Sequence, residues 1–95
     1  MNQSTKYNFV AIDIAKANMD VRTPSEHQKV SNNDRALKSL LVQIQKLPKP
    51  FVVCESTGGY ERKLMNLMHQ HQIPIARVNP ARIRAFAKSE GIKAK

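Results

Sequence analysis

Residues 7–22 read YNFVAIDIAKANMDVR. From Tyr7 to Ile14 aromatic and branched residues dominate, with one acid, Asp13, near the end, which reads as a largely buried strand. From Ala17 to Arg22 the apolar positions Ala17, Met19 and Val21 alternate with Asn18, Asp20 and Arg22, the period of a half-exposed antiparallel strand after a tight connection. Pro24, Ser25 and Glu26 form a turn, and His27 to Ser31 closes the meander as a third strand. The chain therefore opens on a three-stranded antiparallel sheet.

The period then changes. Leu37, Leu40, Leu41, Ile44 and Leu47 recur at three-four spacing, so a helix capped by Asn32 or Asn33 is predicted, stopped by Pro48 and Pro50. Phe51 to Cys54 is a short apolar run that predicts a central strand covered on both faces, followed by Glu55. Beyond the turn Ser56, Thr57, Gly58, Gly59 a second helix is predicted, capped by Ser56 or Thr57, with Tyr60, Leu64, Leu67, Met68 and His71 inward. Ile75 to Val78 reads as a fifth strand. Asn79 as cap and Pro80 at the first helical position open a third helix with Ile83, Phe86 and Ala87 inward. The order is β-β-β-α-β-α-β-α, an α/β fold with a mixed sheet and right-handed crossovers.

At 95 residues and 10.8 kDa there is room for one domain, read as residues 8–95, behind a flexible arm over residues 1–7. A single cysteine, Cys54, allows no internal disulfide, and no leader or membrane-length apolar run is visible, so cytoplasmic residence and no membrane partner are expected. The net charge of +9 and the pI near 10.1 favour a polyanionic partner. The bases thicken toward the end, where Arg82, Arg84, Lys88, Lys93 and Lys95 face one acid, Glu90. Aromatic content of 5% with no Trp favours a phosphate-facing surface over one that stacks bases. Arg82, Arg84 and Lys88, with Lys16 near the first strand, are the candidate nucleic-acid contacts; a plain solvated helix face is the alternative.

Two acids stand where apolar strands end. If strands one and four are parallel neighbours, Asp13 and Glu55 emerge together at the carboxyl edge, where open α/β sheets form their ligand crevices. Two close carboxylates repel, whereas Mg²⁺ prefers oxygen ligands and keeps both ionised, so the pair reads as half of a metal site. The alternative is that each acid pairs with a base such as Lys16 or caps a turn. CESTGGYE (54–61) reads locally as a strand-to-helix turn and lacks the spacing of a nucleotide loop. His69 and His71, two apart on a helix, point to different faces, unlike a metal-binding pair. Cys54 reads as a small buried hydrophobe and Asp20 as solvated.

FVAIDIAKANMDV (9–21), VVCESTGGYE (52–61) and VNPARIRAFAKSEGIKAK (78–95), in that order, closely resemble the N-terminal domain of the DEDD transposases of the insertion-sequence one-ten family, relatives of the Piv-type DNA invertases. The resemblance implies an RNase H-like, RuvC-like fold in which four acids hold Mg²⁺ for cutting and joining DNA strands. It sets Asp13 in the place of the first acid and Glu55 in that of the second. The last two acids of the family follow its basic G-x-x-A-K segment, matched here by Gly91 to Lys95, and this sequence has no Asp after Asp34. The resemblance thus implies a domain that stops before its last elements, is inactive by itself and binds Mg²⁺ weakly or not at all, belonging to a full-length parent enzyme of Mg²⁺-assisted phosphoryl transfer. Two Mg²⁺ ions about 3.5–4 Å apart serve that chemistry. DNA, a structured guide RNA and homo-oligomeric assembly are the implied partners of full-length relatives. A non-catalytic module binding DNA or guide RNA is the alternative. A phosphate-handling enzyme of the actin and sugar-kinase type is disfavoured, because no Gly follows the acid in AIDIAK.

Overall fold

The hairpin at the front of the chain is built as its alternation requires. Strand β1 (Asn8–Ile14) turns through residues 15–17 into β2 (Asn18–Arg22), closed by a hydrogen bond from the Ala15 N–H to the Asn18 carbonyl at 2.8 Å. Strand β3 (His27–Ser31) returns antiparallel to β2. The computed structural model describes residues 6–55 and 58–78. Helix α1 (Asp34–Gln45), β4 (Pro50–Glu55), α2 (Arg62–Gln70) and β5 (Ile75–Val78) complete the described part. The expected third helix and residues 1–5 of the expected arm lie outside it.

The five strands form one sheet in the order β3-β2-β1-β4-β5, antiparallel through β3, β2 and β1 and parallel through β1, β4 and β5. Both helical crossovers step across the sheet in the same direction, so right-handedness places α1 and α2 on the same face. Side chains alternate accordingly. Val10, Ile12, Ile14, Met19, Val21, Val52 and Cys54 meet Leu37, Leu40, Leu41 and Ile44 of α1 and Leu64 and Met68 of α2 in one core. On the other face of the central strands Ala11 and Val53 are also buried, as a fully apolar β4 predicts. This mixed α/β layout is compatible with the RNase H-like fold.

Asn33, not Asn32, caps α1: its extended backbone lets Oδ1 accept from the Ala36 N–H at 2.8 Å. The helix ends at Gln45, so Leu47 packs half-buried against the core from beyond it. Helix α2 departs further from expectation. It begins at Arg62 with Glu61 as N-cap, and no side chain makes a capping bond there. Tyr60 therefore lies in the preceding turn, outside the helical period, and is exposed; His71 sits at the C-cap and is exposed as well. The buried stripe is Glu61, Leu64 and Met68.

Candidate functional site

Strands β1 and β4 run parallel, and Ile12 pairs with Cys54 in their register, both fully buried against the helices. One residue further along each strand, Asp13 and Glu55 stand side by side on the opposite face, on strands about 4.8 Å apart. Both acids thus reach the carboxyl edge together. Asp13 is exposed and Glu55 half-buried, in register with Val78 of β5. Among the described residues, Asp13 has no ion pair with Lys16, which is exposed in the connection between β1 and β2. Arg82, Arg84 and Lys88 lie outside the described residues.

A third acid belongs to this row. Asp20 is the register partner of Asp13, and Lys29 of β3 is the partner of Asp20. Paired residues share a face, so Lys29, Asp20, Asp13 and Glu55 follow one another across four strands. Asp20 is not merely solvated: its Oδ1 lies 3.4 Å from Nε2 of His27. The signal was in the hairpin, where Ala15 and Asn18 close the turn around Lys16 and Ala17, so positions 13 and 20 each lie two residues from the closing pair. Like charges directly opposite each other destabilise a sheet, and a cation reverses that sign. The row is not a closed cage, since no group of three or more His, Cys, Asp or Glu side chains converges on one point among the described residues.

The turn that follows Glu55 is built on Gly58 and Gly59, with φ of +58° and +79°, a left-handed backbone that glycine adopts freely. A Cβ on Gly58 would come within 3.1 Å of the Tyr60 ring. Glu61 then carries the charge that sequence reasoning missed. It is 3% exposed, its Oε2 accepts from Nη1 of Arg77 at 3.0 Å, and its Oε1 has no hydrogen-bond partner. A hydrogen bond from its own backbone N–H and the adjacent Arg77 guanidinium hold its carboxyl below the usual carboxylate range, against the opposing effect of burial. Burial first, and then the Glu61 charge, push the Cys54 thiol up to about 11 although Arg77 acts the other way. Cys54 is accordingly a hydrophobe. His69 and His71 are both exposed.

Comparison with known proteins places the chain in a family. The family model described as a transposase, that of the DEDD insertion-sequence one-ten group, matches residues 10–95. The chain is also similar to the pilin gene-inverting proteins of Moraxella lacunata and Moraxella bovis, each 32% identical over 97 residues that cover 92% of this chain. It spans about 30% of the length of these curated relatives. With a family match that runs from β1 through both acids to residue 95, the chain belongs to the DEDD transposase family of the insertion-sequence one-ten group.

Proposed function

We propose that this chain supplies the first two acids of an RNase H-like catalytic domain that cleaves and joins DNA strands in transposition or inversion. The observation that carries this reading is the parallel register of β1 and β4, which sets Asp13 beside Glu55 at the carboxyl edge. Their carboxylates are the hard oxygen donors that Mg²⁺ takes, one or two at a time, while it keeps several waters. Asp13 and Glu55 would hold the ion, and the bound metal supplies Lewis-acid stabilisation of the attacking and leaving oxygens of a phosphodiester. The family pattern needs two further Asp, and this sequence has none after Asp34. By itself the chain is therefore inactive in strand cleavage.

Lys16 stands at the same edge and would meet a DNA phosphate, and Arg82, Arg84 and Lys88 are the further basic contacts of the proposal. A structured guide RNA and homo-oligomeric assembly belong to the proposal for the whole protein. A non-catalytic binding role draws on the net charge of +9 and on the same bases, Lys16, Arg82, Arg84 and Lys88, with Asp13 and Glu55 vestigial.

Calorimetric titration with Mn²⁺ and nicking of supercoiled plasmid in Mg²⁺ test the reading together. The expected result is cation uptake by the wild type that is weak at most and that Asp13→Ala and Glu55→Ala each abolish, with no nicking. Equal uptake by all three proteins would sink the metal site, and nicking that vanishes in Asp13→Ala would sink the claim of inactivity. Charge reversal at Arg82, Arg84 and Lys88 should weaken duplex binding and flatten its salt dependence, by a logarithmic slope of about 0.9 for each phosphate no longer neutralised.

A further inference from the structure

Glu55 ends β4, and six residues later Glu61 heads α2. Between them stand two left-handed glycines, the residue type whose backbone is least restricted by its own side chain. Past the glycines an ion pair ties the chain to β5. Oε2 of Glu61 accepts from Nη1 of Arg77, and Arg77 of β5 is the register partner of Cys54, the residue just before Glu55. The chain thus leaves β4 at Glu55 and is fastened back to the neighbouring strand one row below the row that carries Glu55.

We infer that the Glu61–Arg77 ion pair is a latch that fixes the head of α2 against β5 one row below the Glu55–Val78 pair, making both residues positioning residues of the acid edge. Packing alone does not call for it. Glu61 continues the stripe of Leu64 and Met68, where an apolar side chain would be covered equally well, yet the position holds a carboxylate that is 3% exposed with Oε1 unpartnered. Burying such a group is costly, and an apolar pair of similar volume often serves stability as well or better. What the ion pair adds is direction, since the guanidinium and carboxylate meet in few orientations of α2 relative to β5. The start of α2 has no side-chain capping bond to hold it otherwise.

Amide hydrogen exchange and thermal unfolding of the whole 95-residue chain decide the point. The reporters are the N–H groups of Arg62 and Met65, which bond to the carbonyls of Gly59 and Glu61, read against Ile73 N–H at the far end of α2. In the double variant Glu61→Leu, Arg77→Met the thermal midpoint should hold, while exchange at Arg62 and Met65 accelerates about tenfold or more relative to Ile73, as loss of a charge-assisted bond implies. Arg77→Lys, which keeps the charge but not the planar guanidinium, should restore only part of the protection. Unchanged exchange at Arg62 and Met65, or acceleration no greater than at Ile73, overturns the latch. Should the double variant not fold, Glu61→Gln carries the same comparison.

The consequence for Glu55 rests on the cation reading above and is measured separately. Mn²⁺ affinity should fall several-fold in the double variant, with Asp13→Ala as the reference for no site. A loosened turn with unchanged Mn²⁺ affinity overturns the positioning of Glu55. A wild type that takes up no Mn²⁺ removes the cation reading instead, and exchange still decides the latch.

Discussion

Asp13 of β1 and Asp20 of β2 are register partners across the hairpin, so two carboxylates stand opposite each other on one sheet face. Such a pair costs about 0.2–1 kcal/mol relative to a neutral one. Asp13→Asn should therefore stabilise the fold, raising the thermal midpoint by a few degrees at low salt. The gain should shrink in about 1 M salt, where screening acts within about 3 Å. A lower midpoint for Asp13→Asn at low salt would contradict this account. Stability forgone at the candidate site is what a functional acid predicts.

The cap of α1 gives a second prediction. Asn33 Oδ1 satisfies the Ala36 N–H, which no carbonyl of the helix can reach. Asn33→Ala should cost about 1 kcal/mol and Asn33→Gly only a few tenths, a ranking that urea unfolding resolves. Equal losses would show that the side-chain bond is not the source.

Cys54 sets an alkaline limit. Its thiol is raised from an ordinary 9.0 to about 11 in the folded chain. Below the unfolded value both states hold the proton and stability is flat. Between the two values only the unfolded chain releases it, so stability falls as pH rises, by at most about 1.4 kcal/mol per pH unit from this group. Cys54→Ala should flatten that part of the curve. Iodoacetamide near pH 8 should label the thiol only once the chain is unfolded, and rapid labelling of the native chain would refute its burial.

Glu61 sets the acid limit with the opposite sign. Its folded value lies below the ordinary one, so its contribution is present above the unfolded value near about 4.3 and disappears as pH falls through the folded value. Urea midpoints measured from neutral pH downward should drop in that window for the wild type. The drop should be smaller in Glu61→Gln, and identical acid limbs would mean that the ion pair with Arg77 is not coupled to folding.

Much of the fold was legible because it is written in local periods. The alternation of Met19 and Val21 with Asp20 and Arg22 is a strand by geometry alone, and the spacing of Leu37, Leu40, Leu41 and Ile44 is one helical face. His27–Ser31 and Ile75–Val78 are strands over the residues expected. Helix α2 was harder, because the glycine turn delays its start to Arg62 and shifts the phase, leaving Tyr60 and His71 outside and Glu61 within. A rule that places charges on the surface passes over Glu61, since its partner Arg77 is sixteen residues away.

The sequence by itself determined the five strands and α1, the Asn33 cap region, and the two acids that end apolar strands, since each follows from residues within a few positions of one another. Only the tertiary structure decided which strands are neighbours. That choice set Asp13 beside Glu55, Asp20 opposite Asp13, and Glu61 under Arg77. Register and ion pairing join residues far apart in the chain, and their energies depend on burial and orientation that no local period encodes.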